Sequence, residues 1–285
     1  MGSSLLTNPA QADAAYAAAQ VVVETHRRVA AFLKKGVTLA QVDQFVAKQL
    51  EDQGAKSCFL GYTPNRRTLP PFPSHACLSV NECVVHGTAG YLRREMREGD
   101  VLKVDIGVHY KGWIGDAGWT YVFGKPTDQV SKLMRAGKES LAAGCAQLKP
   151  GNRFRDFAIA VQTIVEKQYG FHLIRGMGGH GLFVNGKPSL HGPPFVANRM
   201  PDAGEGWEEQ NWKCEVGTLI AVEPMIAVGT GILVDKSRAP MDQRWPEMVA
   251  DGSMSVHYEH DVLITEKGPR ILSEGMEELD DVVMG

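Results

Sequence analysis

Helical and strand-like periodicities alternate along the chain in an order that occurs twice. Residues 9–34 are Ala-rich with Val, Leu and Phe at helical spacing, and Lys34-Lys35-Gly36 marks the stop. Thr38 is placed to cap a second helix over 39–53, with Leu39, Val42, Phe45, Val46 and Leu50 on one face and Gly54 at its end. Short strand-like pieces and a Pro-rich loop, Pro64 through Pro73, fill residues 55–90. Gly99 to Thr120 then reads as two strands about a tight turn, with Val101, Leu102, Val104, Ile106 and Val108 before it and Trp113, Ile114 and Trp119 after. Beyond it, helices are expected over 128–148, stopped by Pro150-Gly151, and over 154–169, ended by Gly170. Gly217–Glu223 is a strand candidate, and Ser255–Thr265 another, in which Val256, Tyr258, His260 and Val262 alternate with His257, Glu259 and Asp261.

The two halves keep step. Gly36 to Gly99 spans 63 residues and Gly151 to Gly217 spans 66; Asp105 lies six residues after Gly99, and Glu223 six after Gly217. This order predicts an internal duplication about a pseudo-twofold axis, with halves at 9–125 and 128–275 inside one domain over 1–285. Strands with flanking helices make the class α+β. Residues 1–8 and 276–285 are expected to be flexible tails.

Polar residues inside the strand patterns carry the chemistry. Folding the hairpin about the Tyr110–Lys111 midpoint sets Asp105 opposite Asp116, with Cβ atoms roughly 4.5–5.5 Å apart. Two carboxylates that close on a buried sheet need a proton or a cation between them. The plain alternative is a pair of solvated aspartates beside a turn, and Gly112 points to a longer, bulged loop that could slip the register. The repeat makes Glu223 the counterpart of Asp105 and Glu259 that of Asp116.

Gly176-Met-Gly-Gly-His-Gly181 fits G-x-G-x-x-G, but Pro188, Pro193 and Pro194 follow where a dinucleotide site needs a helix. The glycines instead let backbone crowd around His180 in a loop. His86 and His191 also lie in loops, whereas His26, His75, His109, His172 and His257 read as ordinary surface or core residues. Carboxylates with one imidazole suit Mn, Fe, Co or Zn in a two-ion arrangement, which can activate water for acyl transfer. No G-x-S-x-G elbow competes, and a Cys77–His86 thiol pair lacks a thiolate-activating context.

Composition narrows the partners. Charged residues make up 22% of the chain and the net charge is −3, so there is no electrostatic case for nucleic acid or an anionic membrane. No apolar run approaches the ~18 residues of a membrane span. The first residues lack the basic and apolar regions of a secretory signal, and five cysteines without a Cys-x-x-Cys fit free thiols in a reducing cytoplasm.

Taken together, Asp105, Asp116, His180 in Gly-His-Gly, Glu223 in Val-Glu-Pro-Met and Glu259 in Tyr-Glu-His resemble the type I methionine aminopeptidases of the pita-bread fold, over about residues 10–275. The resemblance implies removal of the initiator methionine from nascent chains with a small second residue, by a monomer in the cytoplasm, near the ribosome. It implies two divalent ions, Co, Mn, Fe or Zn, with a bridging hydroxide attacking the peptide carbonyl. Asp105, Asp116 and Glu259 would hold one ion or bridge both, and His180 and Glu223 would complete the second. Glu223 would take the proton from the bridging water, while His86 and His191 would contact the scissile amide and stabilise the tetrahedral intermediate. Tyr62, Phe72, Cys77 and Trp245, with Phe59 and Leu190, would form the methionine pocket.

The chain departs from the family pattern in places. Gly-His-Gly is followed by Leu-Phe rather than Ile-Gly, and His191-Gly-Pro-Pro replaces His-Glu-x-Pro. Eleven residues separate His180 from His191, and insertions are expected near 65–70, 185–190 and 229–254. Xaa-Pro aminopeptidases and prolidases share the fold and ligands but usually carry an additional N-terminal domain. A type II enzyme needs a further helical insertion, and non-catalytic relatives typically lose ligands that are all present here.

Overall fold

A computed structural model describes residues 5–64, 69–236, 239–240 and 244–285. The first half holds α1 (Pro9–Phe32), α2 (Leu39–Asp52), β1 (Lys56–Ser57), β2 (Cys77–Val80), β3 (Cys83–Val85), β4 (Val101–Tyr110) and β5 (Trp113–Phe123). The second half begins with α3 (Asp128–Cys145), α4 (Phe154–Gln162) and β6 (His172–Leu173), then β7 (Gly178–Val184) and β8 (Lys187–Ala197). It continues through β9 (Leu219–Val222), β10 (Met225–Ala227), β11 (Glu247–Met248), β12 (Ser255–His257), β13 (His260–Thr265), β14 (Gly268–Ile271) and β15 (Val282–Val283). Two five-stranded sheets dominate: β4 and β5 with β1, β2 and β15, and the path β14-β13-β9-β7-β8. Among the described residues no helix is long and apolar enough to cross a membrane.

Local chemistry sets the helix ends. Asn8 and Thr38 each form a capping box with a Gln three residues on, which satisfies first-turn amides of α1 and α2. The fourth helix is shorter than its periodicity suggests, because Thr163–Gln168 continues it as a π-turn. The glycines that mark the repeat all adopt the left-handed backbone: Gly36 and Gly99 at φ +90° and +87°, Gly151 and Gly217 at +98° and +92°. Each ends or begins an element at a turn that a side chain would strain.

The hairpin forms with a different register from the one expected. Tyr110 pairs with Trp113, so the loop is Lys111-Gly112, and both residues have positive φ. That is the primed turn whose twist matches the strands, and no bulge is needed. Asp105 therefore faces Gly118, and Asp116 faces Gly107. The slip is two residues and the side-chain period is also two, so both aspartates stay on one face. The opposite face packs on α1, where Gly115 meets the Ala18 carbonyl at a distance that admits no Cβ. On the other half, Gly137 of α3 makes the same close approach to the Tyr258 ring.

Residues 1–4 of the expected first tail lie outside the described residues, but the described residues near both ends are packed, in contrast to the expected tails. Leu6 is buried and donates its amide to the Gly217 carbonyl. Met276 is fully buried, and β15 adds to the edge of β5 in parallel. The turn yields a stability prediction. Lys111 holds a left-handed conformation that Asn adopts more readily, so Lys111→Asn should raise the unfolding free energy by up to about 1 kcal/mol in urea titrations. Destabilisation would mean that the Lys111 ammonium, 5.0 Å from the Tyr110 ring centroid, outweighs the backbone term.

Candidate metal centre and active site

The β4–β5 face carries two acids with a glycine across from each. A Cβ on Gly118 would lie 3.1 Å from His257 Cε1 and 3.3 Å from Glu259 Oε2, and one on Gly107 would strike the Phe59 ring at 2.6 Å. The glycines thus leave the room that residues of the other elements fill. Two hydrogen bonds tie the halves together here: Glu259 N–H donates to the Gly118 carbonyl (2.9 Å), and Asp116 N–H donates to Asp261 Oδ2 (2.8 Å).

His180 lies on β7, not in a loop. Its flanking glycines let β7 squeeze between β8 and β9, since a Cβ on Gly179 would sit 2.2 Å from the Ala221 oxygen and one on Gly181 2.1 Å from the Pro193 oxygen. β8 is a sheet edge, where its prolines cost no ladder bond. The eleven-residue spacing to His191 is a hairpin turned by Asn185-Gly186, both at positive φ. It returns His191 to within 4.5 Å of the His180 ring, centroid to centroid, and His191 Nδ1 is 2.7 Å from the Tyr62 hydroxyl. His86 follows β3 at φ +56°, a strained value for a non-glycine residue, and its ring stands perpendicular to that of Trp245, centroids 6.0 Å apart.

Asp105, Asp116, His180, Glu223 and Glu259 converge. His180 Nε2 is 3.9 Å from both Asp116 Oδ2 and Glu223 Oε1. Donor atoms of Asp116, His180 and Glu259 all lie within 4.8 Å of one another. Asp105 Oδ1 and Asp116 Oδ1 are buried without a hydrogen-bond partner. Burial lifts the Asp105 carboxyl to about 7 and that of Glu223 to about 8. Asp116 and Glu259 go well above the carboxylate range, first through burial and then through their acidic neighbours. Burial also holds His86 and His180 neutral, down to about 3. Neutral imidazole and orphaned carboxylate oxygens are the donor set of a divalent cation, so the residues fit such ions.

The cluster forms the floor of a cavity of about 380 Å³. Phe59, Tyr62, Phe72, Cys77 and Trp245 line it together with His86 and His191. Cys77 arrives by register, as β2 pairs it directly with Asp105. Leu190 does not line the cavity; it is buried in the apolar cluster behind it. Of the expected insertion at 65–70, residues 65–68 lie outside the described residues, but Leu69 lines the cavity and the Pro70 carbonyl accepts from Trp245 Nε1. The 229–254 arm contributes Trp245 and Glu247 to the wall, and Lys236 pairs with Glu247 at 2.7 Å. A wider open groove, about 840 Å³, runs along the chain start and β14, away from the cluster.

Two buried residues escaped the sequence reading. His257 Nε2 is 3.3 Å from Glu223 Oε2 and 3.8 Å from Glu259 Oε2. Asp261 braces Asp116 as described above, and burial raises its carboxyl well above the ordinary range. The signal was present in the alternation of His257, Glu259 and Asp261 with apolar residues, although the run expected as one strand over 255–265 is divided between β12 and β13.

The raised carboxyl groups favour protons in the metal-free cluster near pH 7, whereas an ion requires the ionised form. Co(II) added to metal-free protein at that pH should therefore displace about one proton or more. Calorimetry in buffers of different ionisation enthalpy measures this; no proton exchange would show that the carboxylates are already ionised.

Metallopeptidase family M24 matches residues 13–266. The chain is 37% identical over 257 residues to a methionine aminopeptidase of Aquifex aeolicus, covering 90% of this chain and 93% of that protein. Identity to methionine aminopeptidase 1 of Mycobacterium tuberculosis is 34% over 268 residues, with 92% of each chain covered. The crystal structure of a methionine aminopeptidase from Thermotoga maritima superposes with a TM-score of 0.79 at 31% identity, covering 94% of this chain and 98% of that one. The two-sheet architecture is the pita-bread fold of these enzymes. The chain belongs to metallopeptidase family M24, among its methionine aminopeptidases.

Proposed function

We propose that this protein is a methionyl aminopeptidase that removes the initiator methionine from nascent chains whose second residue is small. It would do so as a monomer in the cytoplasm, near the ribosome, with two divalent ions drawn from Co, Mn, Fe and Zn. The observation that carries this reading is the convergence of four carboxylates and an imidazole on the floor of an aromatic-walled cavity.

Phe72 stands edge-on to Trp245 (centroids 5.0 Å apart) and to Phe59 (6.3 Å). Such rings offer edges to a thioether, the contact that suits a methionine side chain. Asp105, Asp116 and Glu259 would hold one ion or bridge the two, with His180 and Glu223 completing the second. Bound divalent ions lower the pKa of water and polarise a carbonyl.

The chain's own residues would manage the protons. Glu223 would accept one from the attacking water and return it to the leaving amine, a task for a carboxylate poised near the working pH. A Tyr62 hydroxyl donating to His191 Nδ1 leaves the His191 proton on Nε2, where it can be offered to the substrate. His86, neutral and on the cavity wall, would donate to the carbonyl oxygen as negative charge develops there.

Met-Ala-Ser and Ala-Pro-Ala, assayed with and without added Mn(II) or Co(II), separate this activity from Xaa-Pro hydrolysis. Release of Met from the first peptide in the presence of an ion is expected; none under any ion would refute the proposal. Glu223→Ala should abolish turnover and weaken binding of at least one ion, and unchanged turnover would remove it from the mechanism. His86→Ala should leave metal content near wild type with kcat lower by ~10²-fold or more. Loss of metal in that variant would make His86 a ligand instead.

A further inference from the structure

His257 has no role in the chemistry above, yet its imidazole is 1% exposed and, among the described residues, neither ring nitrogen has a hydrogen-bond partner. A polar ring that deep is costly unless something compensates it. Its backbone is pinned on both sides by one residue: His257 N–H donates to Thr120 Oγ1 (3.1 Å), whose hydroxyl donates back to the His257 carbonyl (2.7 Å). Pairing of β12 with β10 sets it opposite Met225, two residues after Glu223. Gly118 lies against the ring, so any side chain there would push the imidazole off its position.

The ring is aimed at the metal cluster from behind. Glu223 divides its oxygens between two imidazoles: Oε1 lies 3.9 Å from His180 Nε2, and Oε2 lies 3.3 Å from His257 Nε2. His180 lines the cavity and His257 does not. The 3.3 Å approach is just beyond the usual 2.7–3.2 Å of an N–H···O bond. Such contacts at reaction centres are commonly long before the site is loaded, and a small rotation of the carboxylate closes the gap.

We propose that His257 is the positioning residue of the centre: its Nε2–H donates to Glu223 Oε2 from the side away from the cavity, leaving Oε1 free for an ion that Glu223 and His180 would hold. The inference rests on the metal-centre reading. An imidazole does this where a shorter side chain could not, because it spans from the pinned β12 backbone to the carboxylate without exposing itself. The same nitrogen lies 3.8 Å from Glu259 Oε2, beyond hydrogen-bond reach, so Glu223 is the acid it serves.

The test is a Co(II) titration of wild type, His257→Ala and His257→Gln, followed by calorimetry and by the visible absorption of the bound ion, with the melting temperature of each metal-free protein alongside. Gln can place an amide donor where Nε2 stands, so it is the conservative variant. Outer partners of metal ligands typically contribute 10–100-fold in affinity. His257→Ala should therefore bind Co(II) ~10–100-fold more weakly, while His257→Gln stays within ~3-fold of wild type and keeps its absorption spectrum. Wild-type affinity in His257→Ala, or a lowered metal-free melting temperature as the sole effect, would reduce His257 to packing and overturn the proposal. A Gln variant as weak as Ala, with a shifted spectrum, would overturn it differently, by making the imidazole a ligand. Failure of wild type itself to bind Co(II) would bring down the metal centre and this role together.

Discussion

Four carboxylates held within a few ångströms of each other, out of water, are the constraint around which this protein is built. Coulomb repulsion between neighbouring acids at an effective dielectric near 20 is about 4 kcal/mol per pair at 4 Å, before any desolvation cost. The metal-free protein answers both costs by favouring protonated acids: burial raises Asp105, Asp116, Glu223 and Glu259, and acidic neighbours add to the rise for Asp105, Asp116 and Glu259. Divalent cations relieve it better, since they replace the protons with charge that the carboxylates are arranged to face. An acidic floor under an aromatic cavity is thus a poor structural element and a good cation site.

The fold solves an assembly problem that follows from this. No single hairpin could carry four mutually repelling acids, so each half brings two, and the halves meet through bonds that do not involve the acids' own oxygens, such as Glu259 N–H to the Gly118 carbonyl. Glycine is the recurrent device. At 107 and 118 it clears space for side chains from elsewhere, and at 179 and 181 it lets a histidine-bearing strand fit between two neighbours. Positive φ matters at none of these four positions; their requirement is clearance.

Much of this is legible without coordinates, and the failures are instructive. The helices follow from periodicity and caps, and the paired acids from strand parity. The hairpin register differs from the expected one because the loop is Lys111-Gly112 rather than Tyr110-Lys111. The error spared the site, because a two-residue slip conserves the face. The long His180–His191 spacing raised a difficulty that Asn185-Gly186, a strong two-residue turn, resolves. The packed ends could not be read locally: Met276 and β15 are buried by long-range contacts that leave no periodic trace in ten residues. Leu190 has the apolar character of a pocket residue, but character does not distinguish the cavity wall from the layer behind it.

His257 marks the same limit from the other direction. Parity put it on the face of Glu259 and Asp261, yet a histidine beside an apolar residue is ordinarily a core residue. Only the three-dimensional position of Glu223, 34 residues earlier in the chain, gives the ring something to hold. The acids and His180 are readable because strand parity or a local motif marks each of them. The groups that orient them are not, because their meaning lies in which ligand they reach. Asp261 follows the same rule: its neighbour in space is the Asp116 amide, contributed by the other half. The groups beside the acids therefore come from elements the acids do not occupy: Asp261 reaches across to the first half's Asp116, and His257 reaches Glu223 from a neighbouring strand of the same half.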